Sequence, residues 1–485
     1  GEIACRLRRS CAEMGMETVA IYPADDAASL HARRADAGVE VPGVGARAYL
    51  DVDAVIAAGK QAGCDAVHPG YGFLSENAGF AAAVEAAGMT FIGPSPDGLS
   101  LFGDKGRARA LAAEHGVPTL PGTGGQGGAT EDAIRAFFAA LPTGAAMMIK
   151  AVNGGGGRGM RPVFDADQIA EAYARCASEA QAAFGDGSLY AERFVPRARH
   201  IEVQILGDGT GAAVHVGERE CTLQRRNQKV LEIAPSPSLS DADRDLLNGY
   251  ALTLAQAGRY RGLGTFEFLM DADAPAGASI FFIEANPRIQ VEHTVTEAVF
   301  GLDLAALQMQ VCGGATLADL GVTQAALGAP VGFAIQARVN LEKMDAAGNA
   351  RPAGGTLSAY DPPSGPGVRV DGFAYAGYRT SSAYDSLLAK VIVHSRGDFA
   401  TAARKTARAL AEFRIEGAAT NLPWLRALLA HSDVRANAVT TRFIEAEAKA
   451  LFDVAAAMDA PLFPANEGDA APEAAAAIPE GAVAV

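Results

Sequence analysis

Hydrophobic and polar positions along the first part of the chain switch repeatedly between helical and strand spacing. Ile3 to Met14 reads as a helix, and the apolar run Thr18-Val-Ala-Ile-Tyr22 follows it directly as a strand. Tyr49 to Ala62 is helical, Ala66-Val67-His68-Pro69 is a strand end, Glu76 to Ala87 is helical, and Thr90-Phe-Ile92 is a short strand. That rhythm predicts a parallel α/β unit with ligand-facing loops at the carboxyl ends of its strands, His68-Pro-Gly-Tyr-Gly-Phe73 being one of them. Asp104 to His115 is a further helix, and the Gly-rich stretch Pro118 to Gly128 leads into a second unit that ends near Phe194. This unit holds a strand at Met147 to Val152, a glycine run and a helix from Ala166 to Phe184. The largest unit follows to about Phe452, with strands expected at His200 to Leu206, Ala212 to Val216, Gly264 to Met270 and Ser279 to Glu284. From Asp453 onward Ala, Pro, Gly and acidic residues dominate. They carry too little bulky apolar surface to offset the entropy of ordering, so a flexible linker is expected.

The 485-residue length is roughly three times that of a typical domain, in keeping with two or three packed units. No stretch approaches the ~20 consecutive apolar residues that span a bilayer, which excludes an integral membrane protein. Forty-one basic against 56 acidic residues give a net charge of −15, which repels a phosphate backbone and makes nucleic acid a poor partner. The cysteines (Cys5, Cys11, Cys64, Cys176, Cys221 and Cys312) show no Cys-x-x-Cys and no Cys/His pairing. That pattern argues against a disulfide framework or a zinc site and points to the reduced cytoplasm. No signal-peptide pattern precedes the first helix.

The glycine run Asn153-Gly-Gly-Gly-Gly-Arg-Gly-Met160 contains a formal G-x-G-x-x-G. The segment after it, Met160-Arg-Pro-Val-Phe164, reads as a strand and not as the helix a dinucleotide fingerprint requires. A glycine-rich turn between two strands suits a lid over phosphates, since backbone N–H groups can approach the anion, and Lys150 supplies a cation beside it. The densest chemistry lies at Phe282-Ile-Glu-Ala-Asn-Pro-Arg-Ile-Gln-Val-Glu-His293. If this segment is extended throughout, Glu284, Asn286, Arg288, Gln290 and Glu292 share one polar face, and Ala285, Pro287, Ile289 and Val291 the apolar one. Upstream, Glu267 lies in the apolar strand Thr265-Phe-Glu-Phe-Leu269, which is expected to pair as a hairpin with Ile280 to Glu284. Two carboxylates on adjacent strands with an amide nearby make a hard-oxygen site suited to Mg²⁺. A second charged run, Glu218 to Lys229, lacks either periodicity and reads as an exposed loop or an anion site.

Several motifs, in order, resemble the biotin carboxylase unit of biotin-dependent carboxylases, an ATP-grasp enzyme. They are Gly1-Glu-Ile-Ala4, His68 to Asn77, Gly103-Asp-Lys105, Lys150 to Met160, Gln224 to Lys229, Glu284 to Glu297 and Tyr384-Asp-Ser-Leu-Leu-Ala-Lys390. Carbamoyl-phosphate synthetase shares the pattern at the ATP-grasp level, but His68 to Asn77 and Arg288 to His293 match the biotin branch better. The resemblance implies an α/β fold that is α+β in parts. Its units would be an N-terminal parallel α/β domain with a connecting helix at 1–120, lacking its first strand, and a glycine-rich lid at 121–193. The ATP-grasp core and C-terminal biotin carboxylase domain would follow at 194–452, and a linker towards a biotin carrier at 453–485. By the same resemblance Lys105, Lys150, Gly155, Gly156, Glu192, His200 and Gln224 match nucleotide-contacting positions, and Glu267, Glu284 and Asn286 match metal ligands. Arg288, Gln290, Val291 and Lys229 match a bicarbonate pocket, Glu292 the catalytic base, and Arg338 the arginine that stabilises the biotin enolate. ATP, Mg²⁺ or Mn²⁺, and carrier-bound biotin are the implied cofactors and substrates. In the family, bicarbonate attacks ATP to give carboxyphosphate, which releases CO₂ to the ureido nitrogen of biotin.

The chain departs from the family pattern at defined places. Asn227 replaces the usual His, and Ala285 and Thr294 stand where many members have Met and Pro. Thr after Glu-His resembles the pyruvate carboxylase branch, whereas Val339-Asn340 resembles the acyl-CoA branch, and Leu341 to Gly355 is unlike the common continuation. An acyl-CoA carboxylase is the leading expectation and a pyruvate carboxylase-like unit the alternative. A non-catalytic nucleotide-binding scaffold is a second class of reading. The strand and Asn-Arg that normally precede Gly-Glu-Ile-Ala do not occur, so a fragment of a longer polypeptide is expected. No Ala-Met-Lys-Met-like turn occurs either. The expected partners are therefore a biotin carrier domain and a carboxyltransferase domain on the same longer chain, with homo-oligomerisation.

Overall fold

The computed structural model describes residues 1–124, 127–152, 159–275, 277 and 280–458, with Phe184 as backbone only. The N-terminal part alternates helices with short strands, as the periodicity predicts. Helices Glu2–Glu13, Val52–Gln61 and Ala78–Ala86 flank two separate parallel pairs, Val19–Tyr22 with Ala37–Glu40 and Ala66–Val67 with Thr90–Phe91. Asp51 and Asn77 begin the second and third helices by accepting from the N–H groups of Ala54 and Phe80, as N-cap side chains do. Val55, Leu74, Phe80, Val84 and Phe91 form the core between them.

The second unit is a three-stranded antiparallel sheet in the order Met160–Val163, Met147–Ala151, Leu189–Arg193, backed by helices Glu131–Ala140 and Ile169–Phe184. Pro162 falls in the edge strand, where a missing N–H costs no ladder bond. Gly155 and Gly156, which fall in sequence between Met147–Ala151 and Met160–Val163, lie outside the described residues.

The remainder is organised by one eight-stranded sheet whose neighbours are all antiparallel. Its order is Ile280–Asn286, Arg261–Asp271, Ala198–Asp208, Ala213–Glu220, Leu231–Ala234, Phe333–Asn340, Leu387–Ser395, Val368–Gly372. At one end Ile201, Val203, Ile205, Phe266, Phe268 and Phe282 pack against helix Asp241–Ala257 and the connecting helix Lys105–Glu114. At the other, Ile335, Val339, Val391 and Val393 pack against helices Phe399–Glu412, Leu422–Ala430 and Ala448–Met458. The last helix continues five residues past Asp453, the expected start of the linker, because Leu451 and Ala455 still reach this core. The rest of the tail, 459–485, lies outside the described residues.

Two expectations are corrected. The charged run Glu218 to Lys229 is not an exposed loop: Glu218, Arg219 and Glu220 finish a buried strand, and Gln224–Arg225 pairs with Gln228–Lys229 as a hairpin. Its tip, Arg226 and Asn227, has φ of +48° and +63°, a two-residue turn in which Asn is favoured. The polar strip does not stay extended to Glu292, since the strand ends at Asn286 and the chain turns before helix His293–Phe300. Among the described residues no helix is long and apolar enough to cross a membrane.

Candidate active site

Strand parity divides the large sheet into an apolar and a polar face. While Val203 and Phe266 point into the core, Glu202, Gln204, Thr265 and Glu267 point the other way, with Glu202 opposite Glu267 and Gln204 opposite Thr265. Arg219 on the next strand stands opposite Glu202. The turn at Gln290 to Glu292 and the helix after it cover this face, so the polar residues are buried.

Arg219, fully buried, satisfies every N–H of its guanidinium inside the protein. Nε donates to Glu202 at 2.5 Å, Nη1 to Gln204 at 2.7 Å and Thr296 at 3.1 Å, and Nη2 to Thr265 at 3.0 Å and Gln290 at 3.4 Å. Lys229 has three N–H donors and meets three carboxylates: Glu202 at 2.5 Å, Glu267 at 2.8 Å and Glu292 at 2.7 Å. Arg338 bridges Glu292 at 2.9 Å and Glu232 at 2.5 Å. Four buried glutamates thereby share three cations.

These partners decide the protonation states. Burial pushes Glu292 up, but Lys229, Arg338 and Arg219 together hold it well below the usual carboxylate range. Burial likewise opposes ionisation of Glu267, yet Lys229 and His200 bring it well below that range. For Lys229 the signs reverse: burial works against the ammonium, and Glu202, Glu267 and Glu292 overcome it and raise its pKa. Glu232 is the exception, raised by burial and by Glu292 despite the pull of Arg338. Burial also keeps the adjacent Cys221 a neutral thiol, which is not a nucleophile.

Around this centre the structure gathers most of the residues singled out in the sequence. Asn286 Nδ2 and Gln290 Nε2 donate to Glu267 at 2.9 and 3.1 Å. His200 Nδ1 accepts from Gln224 Nε2 at 2.6 Å, which leaves Nε2 as the protonated nitrogen, 2.9 Å from Glu267. The Val291 carbonyl accepts from the buried Lys390 at 2.9 Å. Arg288 donates from Nε to Glu76 at 2.5 Å and from Nη2 to Asn286 at 3.0 Å. A second group adjoins the first through Glu284, which stands opposite Glu267 across paired strands and holds Lys105 at 2.8 Å. Lys150 is ion-paired with Glu192, which also accepts from Arg109 at 3.1 Å.

The donor chemistry fits a hard divalent cation. Glu267 and Glu284 offer carboxylate oxygens from facing positions, and His200, Glu202 and Glu267 have ligand atoms within 4.8 Å of one another. Sequence reasoning missed Glu202, Arg219 and Glu232. Glu202 shares strand parity with His200 and was legible on that ground; Arg219 and Glu232 carry no periodic signal, and only the sheet register brings them to the site.

Comparison with known proteins bears on the same residues. Residues 1–99 match the model "Biotin carboxylase, N-terminal domain", 104–320 "Carbamoyl-phosphate synthase L chain, ATP binding domain", and 336–446 "Biotin carboxylase C-terminal domain". Pyruvate carboxylase of Aspergillus niger is 43% identical over 453 residues, which are 92% of this chain but 37% of that protein. The chain therefore spans little more than a third of the length of such relatives. Among solved structures, the biotin carboxylase domain of a single-chain bacterial carboxylase is 45% identical with a TM-score of 0.83, over 95% of this chain and 98% of that one. The biotin carboxylase domain of Hydrogenobacter thermophilus 2-oxoglutarate carboxylase, in complex with MgADP, ADP and bicarbonate, is 35% identical with a TM-score of 0.87, over 93% and 96%.

Removing the central guanidinium should be costly. Arg219→Met leaves Glu202 buried with one cationic partner, and a loss of about 3–5 kcal/mol of unfolding free energy is expected by urea titration. A second expectation concerns pH. Glu292 is depressed on folding, so its contribution is fully present above the unfolded value of about 4.3 and is lost as pH falls through the lower folded value. Lys229 is raised, so its contribution is present below about 10.4 and lost as pH rises through the folded value. The stability difference between the unaltered chain and Glu292→Gln should therefore stay constant from about pH 5 to about pH 9 and shrink below about pH 4 in urea unfolding.

Proposed function

The chain belongs to the biotin carboxylase family and shares its ATP-grasp fold, and from that premise we propose that it carries out the ATP- and bicarbonate-dependent carboxylation of biotin. The observation that carries this reading is the Lys229 ammonium held by Glu202, Glu267 and Glu292, with Arg338 on the far oxygen of Glu292. Such a centre suits a small anion that must be bound, oriented and deprotonated.

On this reading Lys105 and Lys150 meet the nucleotide phosphates, exchanging their pairs with Glu284 and Glu192 for the incoming anion. Gly155, Gly156, Glu192, His200 and Gln224 complete the nucleotide side. Glu267, Glu284 and Asn286 would hold Mg²⁺, or Mn²⁺ equally, which when bound neutralises phosphoryl oxygens. Lys229, Arg288, Gln290 and Val291 bind bicarbonate. Glu292 stays ionised throughout the neutral range and is a weak base while both its cationic partners grip it. Bicarbonate, by drawing Lys229 or Arg338 towards itself, raises the basicity of Glu292 at the moment its proton must leave. The resulting carbonate oxygen attacks the terminal phosphorus, ADP leaves, and carboxyphosphate breaks down to phosphate and CO₂ for biotin, with Arg338 opposite the developing ureido oxyanion.

The division at 1–120, 121–193, 194–452 and 453–485 belongs to this proposal. So do a biotin carrier and a carboxyltransferase on a longer polypeptide, which the single-chain architecture of the bacterial relative supports. The same unit occurs in pyruvate and 2-oxoglutarate carboxylases, so an acyl-CoA, a 2-oxo acid or another acceptor is selected elsewhere. The scaffold reading has less support, because Asn227 sits at an exposed hairpin tip where its backbone conformation explains its presence.

Bicarbonate-dependent ADP release that free biotin stimulates is the direct test; ADP release indifferent to both would overturn the proposal. Glu292→Gln should retain ATP binding and lower turnover by roughly 10²- to 10⁴-fold, and a near-normal rate would remove Glu292 from the base role. Glu267→Gln and Glu284→Gln should each raise the Mg²⁺ concentration needed for half-maximal ADP release, whereas unchanged magnesium dependence in both would reassign these carboxylates.

A further inference from the structure

We propose that Glu232 is the positioning residue for Arg338, and that Thr294 closes the hydrogen-bonded ring through which it acts. The inference rests on the carboxylation reading above and adds residues that reading did not use. Glu232 lies on strand Leu231–Ala234, directly opposite Gln336 on strand Phe333–Asn340, and Arg338 follows Gln336 on the same face. Arg338 Nε donates to Glu232 Oε1 at 2.5 Å, and Gln336 Nε2 donates to Glu232 Oε2 at 3.0 Å. The hydroxyl of Thr294 donates to Gln336 Oε1, and Arg338 Nη2 donates to Glu292 Oε2 at 2.9 Å. Thr294 is two residues beyond Glu292, so the backbone closes the ring: Glu292, Arg338, Glu232, Gln336, Thr294.

The chemistry gives this ring a purpose. When Glu292 takes the proton of bicarbonate it loses its charge, and with it most of its grip on Arg338. Glu232 keeps its grip because it is a separate carboxylate, fully buried and held on its second oxygen by Gln336. The guanidinium spends Nε and Nη2 on the ring, and among the described residues no protein acceptor engages Nη1. Its side chain is 18% exposed while Glu232, Gln336 and Thr294 are buried, so the ring presents one donor edge outward from a fixed base. The ring sets how tightly Arg338 is held.

The test compares bicarbonate-dependent ADP release with and without free biotin in the unaltered chain, Glu232→Gln, Thr294→Val and Thr294→Ser, alongside thermal unfolding. Glu232→Gln should lower the stimulation by biotin about tenfold or more, with the KM for ATP within about twofold, because the lost interaction acts on Arg338 and not on the nucleotide side. Thr294→Val should lower it by roughly threefold, the scale of one buried hydrogen bond, and Thr294→Ser should restore it. Equal stimulation in Glu232→Gln and the unaltered chain would overturn the proposal. If Glu232→Gln does not fold, the Val and Ser variants decide, and identical stimulation in those two would overturn it. An unaltered chain with no bicarbonate-dependent ADP release would reject the carboxylation reading and this role with it, whereas an active chain with unmoved ratios rejects the positioning role alone.

Discussion

Everything at the centre of this protein depends on the neutralisation of buried carboxylates. Glu202, Glu232, Glu267 and Glu292 are withdrawn from water on one face of a large antiparallel sheet, where an isolated carboxylate costs several kcal/mol or takes up a proton. They remain together because Lys229 gives one N–H to each of three, Arg219 fastens Glu202 to the layer beneath, and Arg338 ties Glu292 to Glu232. Removing any of the three cations leaves a buried carboxylate short of a partner charge. That requirement fixes the register of the strands, the turn at Gln290 to Glu292 and the placement of helix His293–Phe300.

The sheet makes such a centre possible by separating its faces. One face carries Ile201, Val203, Phe266 and Phe268 into an aromatic core; the other carries a continuous polar layer roofed by a helix. The core supplies the burial free energy, and the polar layer is satisfied bond by bond. Rigidity follows, because a guanidinium with every N–H engaged has no alternative geometry of similar energy. The side proposed to meet the nucleotide is built differently. Lys105 pairs with Glu284 and Lys150 with Glu192, ion pairs that an anionic ligand can replace.

The N-terminal part joins this framework through charge as well as packing. Arg6 reaches Glu297 at 2.7 Å and Asp303 at 2.8 Å, Arg9 reaches Asp371 at 2.7 Å, and Lys390 lies 3.2 Å from Glu2 while holding the Val291 carbonyl. Glu2 in turn accepts from Tyr71, in the loop that the sequence marks as ligand-facing. The first helix, that loop and the turn carrying Glu292 are therefore parts of one connected network.

The amino-acid sequence alone determined the alternation of helices and strands, the hairpin that sets Glu267 beside Glu284, and the family whose motifs this chain carries. Those are local properties: period, turn chemistry and residue identity at fixed spacing. It also marked Lys229, Glu292 and Arg338, although as matches to a pattern and not as a consequence of geometry. Only the tertiary structure decided that the run from Glu218 is a buried strand, and that Glu292 reaches Lys229 by way of a turn and not along an extended strip. Arg219 and Glu232 became visible at the same stage. A charged residue in a sequence reads as solvated, because burial of a charge is favourable only where partners from distant strands converge on it, and strand register is a property of the whole sheet.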